Sequence, residues 1–158
     1  MIGWWIAAGV AIGAAVMLTA YLLLRRRAAA PRIDVRRARQ AFQQRREWLE
    51  AHFVTLASQS GRPRGLTWID CDFDDAVALA RDRHSGDLRA LVSVAIRFEA
   101  VAGGPLEDNP NVGNIRAATA VFRFDGDQWR TDGRALFNLN PSEAIEHFQH
   151  ELEVIENE

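Results

Sequence analysis

"LRALVSVAIRFEA", residues 88–100, alternates without a break. Leu88, Ala90, Val92, Val94, Ile96 and Phe98 interleave with Arg89, Leu91, Ser93, Ala95, Arg97 and Glu99. A period of two is that of a pleated strand, whose successive side chains point to opposite faces. This stretch is the clearest strand in the chain, and it makes the rest of the domain read as a sheet protein.

Upstream, "TWIDCDF" also changes face at every residue. Ile69, Cys71 and Phe73 are expected on one side, and Trp68, Asp70 and Asp72 on the other. "AVALARD" reads as a second short strand, and "RHSGDL" as a turn around Gly86. Downstream, "AGGPLEDNPNVGN" is a loop, Ile115 to Phe124 resumes the strand pattern, and Asp125-Gly126 is a hairpin signal. Gln128 to Leu139 returns as a strand bent at Gly133.

Helical spacing frames these strands. From Ile33 to Ser58, Ala38, Phe42, Leu49, Phe53 and Leu56 form one stripe flanked by Trp48 and His52. Asp34 is the expected N-cap, and "SGRPRG" ends the helix. At the other end, Asn140 caps, Pro141 takes the first helical position and Glu143 sits where a capping-box acid belongs. Ala144, Ile145, Phe148, Leu152 and Ile155 are that helix's expected buried stripe. Hairpin-linked strands imply an antiparallel sheet with one covered face, and the two amphipathic helices are the expected covers. The class is α+β: an N-terminal transmembrane helix, an amphipathic helix, a four- to five-stranded antiparallel sheet and a C-terminal helix.

The transmembrane expectation rests on Ile2 to Leu24, a run of 23 residues without a charge. As a helix it would reach about 34 Å, against a hydrocarbon core of about 30 Å. Trp4, Trp5 and Tyr21 stand where interfacial aromatics belong, and Arg25, Arg26 and Arg27 follow at once. A secretory signal carries its basic residues before the apolar run, the reverse of this order, so the segment reads as a retained anchor. Basic loops stay cytoplasmic. The expectation is therefore a single-pass protein of the cytoplasmic membrane with its N-terminus outside: span 2–24, basic juxtamembrane linker 25–32, cytoplasmic α+β domain 33–158. Gly9 and Gly13 form a Gly-x-x-x-Gly pair that would let two such helices approach.

Charge is divided along the chain. Residues 25–46 hold nine arginines and one acid, whereas residues 47–158 hold ten arginines and twenty acids. A uniformly basic nucleic-acid binder does not look like this, and phosphate would be repelled by the sheet region, so no nucleic-acid partner is expected. The basic stretch would be drawn to anionic headgroups of the bilayer. Cys71 is the only cysteine, which excludes an intramolecular disulfide, and its alternation with Ile69 and Phe73 reads as buried and inert.

Two clusters suggest chemistry. Asp70, Asp72 and Asp74 begin like a calcium loop, but the sixth and twelfth positions are Asp75 and Arg81 instead of glycine and a bidentate acid, so the motif fails. Pairing with Arg81, Arg83 or Arg97 across strands, or plain solvation, is the expected role of these acids. "HFQH" places His147 and His150 three apart among Glu143, Glu146 and Glu151, a spacing that can ligate zinc but more often marks a solvated helix face. Asp70, Asp72 and His147 are retained as catalytic candidates. No metal and no cofactor is expected.

"WIDCDFDD", "LRALVSVAIRFEAV", "VGNIRAATAVFRFDGDQWRTDGRALFNLNP" and "EAIEHFQHELE" together resemble small, uncharacterised, membrane-anchored proteins of planctomycete-type bacteria. The resemblance covers Trp68 to Leu152 and implies no activity or site residue. The order of helix and antiparallel strands is also similar to cystatin-like and NTF2-like folds, which serve as enzymes, ligand binders and assembly modules alike. The expected role is a membrane-anchored interaction module that binds a protein partner or itself through a sheet face or edge strand. The alternative is a pocket enzyme or small-ligand binder in which Trp68, Asp70 and Asp72 line a cavity mouth near a histidine or Trp129.

Overall fold

The computed structural model describes residues 34–60 and 65–155, together with Met17. The span 2–24, the linker 25–32 and the interface and dimer residues assigned to them (Trp4, Trp5, Tyr21, Arg25, Arg26, Arg27, Gly9 and Gly13) lie outside the described residues. Among the described residues, no helix is long and apolar enough to cross a membrane. Those from Asp34 to Ile155 belong to one compact α+β unit with an antiparallel sheet.

Helix α1 runs Val35–Gln44 and α2 runs Arg46–Ser60. Strands β1 (Leu66–Asp82), β2 (Leu88–Ala100), β3 (Arg116–Phe124), β4 (Trp129–Arg130) and β5 (Ala135–Phe137) follow. Helix α3 (Pro141–His147) and strand β6 (Leu152–Val154) complete the order. The sheet is ordered β4-β3-β2-β1-β6, and β5 pairs with β3 on the same side as β4. Every pairing is antiparallel.

The alternating stretch 88–100 is thus an interior strand with β1 and β3 on its two sides. Leu88, Ala90, Val92, Val94, Ile96 and Phe98 all enter the main core, as their period requires. Ala38, Phe42, Leu49, Phe53 and Ala57 of α1 and α2 cover that face.

The expected single helix is broken. The Arg45 N–H returns to the Phe42 carbonyl, a tightened three-residue step, and the Leu49 N–H then bonds the Arg45 carbonyl. Asp34 caps α1 as expected, accepting the N–H groups of Arg36 and Arg37. The stripe ends on buried Ala57, one turn after Phe53, while Leu56 is half buried.

"TWIDCDF" and "AVALARD" are one strand of 17 residues instead of two. Register shifts between Trp68 and Asp70 and between Phe73 and Val77 keep it paired to β2. A bulge adds a residue without a partner and resets the phase. Ile69 occupies the first shift and is exposed, whereas Trp68 packs on the core, so the two exchange the faces that strict alternation assigned them.

The helices do not share one face. Ala144 and Ile145 of α3 pack with Ala80 and Leu91, joined by Ala78, Leu136, Leu139 and Leu152, in a second core behind the sheet. Helix α3 also stops at His147, and Leu152, expected on its stripe, belongs to β6 and pairs with Asp82 of β1. Asn140 and Glu143 form the expected capping box. Thr119, the buried polar residue of β3, donates its hydroxyl to the Leu139 carbonyl at 2.6 Å and ties the approach to α3 onto the sheet.

Candidate functional site

Among the described residues two features of the sheet stand out, one along an edge and one on the α3 face. The edge belongs to β1. Strand β6 pairs only with Ala80, Arg81 and Asp82, and the Ile155 N–H adds one bond to the Leu79 carbonyl. Among the described residues, Leu66 to Ala78 have β2 on one side and no strand on the other. The bulges and four acids (Asp70, Asp72, Asp74 and Asp75, all exposed) line this edge. Such devices discourage indiscriminate strand pairing.

The second bulge is held from α2. Arg46 donates from Nη1 to the Asp75 carbonyl at 2.9 Å and from Nη2 to the Asp74 carbonyl, while its Nε bonds Glu50 at 2.7 Å. One guanidinium fork therefore satisfies two carbonyls that the shifted register turns away from β2.

Asp70 stands opposite Arg97, and Asp72 opposite Ala95. Both acids are exposed, and neither forms an ion pair among the described residues, so of their two expected roles they take solvation and not cross-strand pairing. They do not sit beside Trp129, whose ring is buried with Phe42 and Phe124 under α1. The cavity mouth imagined at Trp68, Asp70 and Asp72 is therefore corrected to an open edge. His147 ends α3, exposed, with its ring edge-on to Phe148 at 4.8 Å. Among the described residues no group of three or more His, Cys, Asp or Glu could hold a metal ion.

Cys71 is half buried beside the main core. Burial first, and the neighbouring Asp70 charge second, push its thiol up to about 11. The thiolate is thus scarce near neutral pH, in keeping with an unreactive side chain. Trp48 is exposed and stacked on His52, with ring centres 5.1 Å apart.

The feature missed by sequence reading is a concavity of about 240 Å³ on the α3 face. Its floor is Leu91, Val121 and Leu136, and Phe148 and Leu152 close one side. Register brings three arginines into one row, with Arg89 opposite Arg123 and Arg123 opposite Arg130. Directly opposed residues share a face, so all three line the concavity, with Arg134 as a fourth. Like charges placed opposite one another destabilise a sheet.

Most of this charge is answered locally. Asp82 bonds Arg89 at 2.8 Å, Asp125 lies 3.3 Å from Arg130, and the Arg134 guanidinium sits over the Phe148 ring at 5.4 Å. Burial pushes the Asp82 carboxyl up. Hydrogen bonds from Arg89 and from the N–H groups of Ser85 and His84, with the Arg89 charge, outweigh it and bring the carboxyl down to about 2. The guanidinium of Arg123, the middle of the row, has no hydrogen bond or ion pair among the described residues.

No protein-family model, curated protein or solved structure matches the chain.

Proposed function

We propose that the chain is a single-pass, membrane-anchored interaction module whose α+β domain works at the cytoplasmic surface of the membrane. The uncharged run Ile2 to Leu24 and the arginines after it support the anchor and its orientation. The observation that carries the interaction role is the open outer edge of β1 from Leu66 to Ala78.

An added strand would find backbone groups open from Leu66 to Phe73, ahead of the Asp74 and Asp75 carbonyls that Arg46 already holds, and four acids would select its side chains. Two copies of this chain paired β1 to β1 would bring Asp70, Asp72, Asp74 and Asp75 against their own kind, which opposes self-pairing. The fitting partner is therefore an extended segment of another protein with arginine or lysine at alternate positions. The long strand 88–100 is interior, between β1 and β3, and contributes support only.

The test uses the intact, tagged chain in detergent-solubilised membranes. A partner should co-purify at low salt and be lost both at high salt and in the double variant D70R/D72R. Equal recovery of the same partner from wild type and D70R/D72R would sink the edge assignment. A reporter fused after Glu158 should be active on the cytoplasmic side, and activity confined to the outer side would overturn the orientation.

A further inference from the structure

We infer that the arginine-lined concavity on the α3 face is a binding site for a small carboxylate with an apolar body. This inference is independent of the docking edge, which lies elsewhere on the sheet.

Three observations converge on the same few residues. The first is the Arg89–Arg123–Arg130 row, which places like charges side by side without any need of the fold. Leucine or threonine would pair at position 123 at no electrostatic cost. The second is how unevenly the row is answered. Asp82 and Asp125 occupy its outer members, and the middle guanidinium keeps its donors for something else. The third is the floor. Leu91 is buried, and Val121 and Leu136 are half buried, so an apolar surface lies directly beneath the charge.

Charge decides the kind of anion. The lining holds four arginines and three acids, and Asp125 beside it answers Arg130, so the site carries no large positive surplus and Arg123 is the one member of the row without an ion pair among the described residues. A singly charged group matches that one guanidinium, whereas a phosphate monoester, which carries about two charges near neutral pH, does not. A carboxylate also suits the geometry, because its two oxygens accept two parallel N–H groups from one guanidinium. Size sets the rest: 240 Å³ lies below the usual range of about 300–1,000 Å³ for drug-sized ligands, so the buried part is about one ring or one short side chain. Arg123 grips the carboxylate, Leu91, Val121 and Leu136 receive the apolar part, and Arg89 and Arg130 are held to the sides by their own acids.

The carboxylate could belong to a free small acid or to the end of a peptide, and the probes separate these. Full-length chain in micelles, labelled at Leu and Val methyls and at arginine Nε, is titrated by NMR with benzoate, benzamide, inorganic phosphate, glycyl-phenylalanine and its C-terminal amide. Benzoate or the free-acid dipeptide should shift Leu91, Val121, Leu136 and the Arg123 Nε–H saturably, and the two amides should not. Phosphate should bind about tenfold more weakly than the better carboxylate. R123Q should lose about tenfold in affinity or more, and R123K should fall between the two because it keeps the charge without the fork. Arg123 is exposed, so both variants should retain the wild-type methyl spectrum. Binding by neither carboxylate, equal shifts from the amides, tighter binding of phosphate, or unchanged affinity in R123Q each overturns the assignment.

Discussion

The indole Nε1–H of Trp129 donates to the carbonyl of Ala38 at 2.7 Å, joining β4 to α1 across 91 positions of sequence. Both residues are buried, and Phe42 stands edge-on to the same indole at 5.0 Å. One side chain therefore fixes where the first helix lies on the sheet, through a polar bond inside an aromatic cluster. Replacing Trp129 by Phe should cost about 1–3 kcal/mol, because the donor is lost and a gap opens beside Ala38. Trp129→Ala should cost about 3–5 kcal/mol. Urea unfolding of the intact chain in mild micelles measures both, and a Phe variant as stable as wild type would show that the bond contributes nothing.

Gly133 separates β4 from β5 and passes close to α2. Its φ is +76°, and a Cβ there would lie 2.5 Å from the Ala57 nitrogen and 2.8 Å from Leu56. Gly126, in the β3–β4 hairpin, has φ +97° with open space around it. Gly126→Ala should cost about 1–2 kcal/mol from backbone strain alone. Gly133→Ala adds a collision with helix backbone and should cost about 3 kcal/mol or more. Equal losses in the two variants would mean that the contact with α2 is not tight.

Asp82 gives the domain an acid-sensitive bond. Its folded pKa of about 2 lies below the unfolded value of about 3.9, so the ionised carboxylate favours folding. That contribution, on the order of 1–2 kcal/mol after solvent screening, is fully present above about pH 5 and fades as pH falls toward 2. Asp82→Asn removes it. The stability difference between wild type and D82N should therefore be constant from about pH 5 to 7 and shrink toward about pH 2. A difference that grows on acidification would contradict the bond to Arg89.

Arg46 should control the dynamics of the β1 bulge. Arg46→Ala strips the Asp74 and Asp75 carbonyls of their donors, at a cost of about 1.5–3 kcal/mol for charged hydrogen bonds. Hydrogen exchange should quicken at Ala76 and Val77 more than at Val92 across the ladder. Uniform acceleration along β1 and β2 would instead indicate global loosening.

Much of the architecture was open to local reading, and particular residues show why. The alternation of 88–100 needed only a strand's geometry. The Asn140–Pro141–Glu143 start of α3 and the Asp125-Gly126 hairpin needed only short-range hydrogen bonds and backbone freedom. The break at Arg45 carried no such mark, because it has neither glycine nor proline, and the signal for it, Arg46 reaching to Asp74 and Asp75, lies 28 and 29 residues away. Leu152 kept helical spacing and still became a strand, since β1 offered it an edge.

The candidate sites divide along the same line. Asp70, Asp72 and His147 drew attention because chemistry-bearing residues were close in sequence, and the fold left them exposed. Arg89, Arg123 and Arg130 are scattered over three strands and gave no local pattern. A hint existed in the strand periodicities, which place each arginine opposite the apolar set of its strand, but the row required the register.

What the sequence determined by itself was what depends on neighbours within a turn or a pleat: the class, the strand at 88–100, the caps, and an uncharged run followed by arginines. Tertiary structure alone decided which face each helix covers, where β1 bulges, and which charges meet. Those outcomes come from pairing register and packing between segments tens of residues apart. Their free energies belong to the contact between segments and are written in neither segment alone.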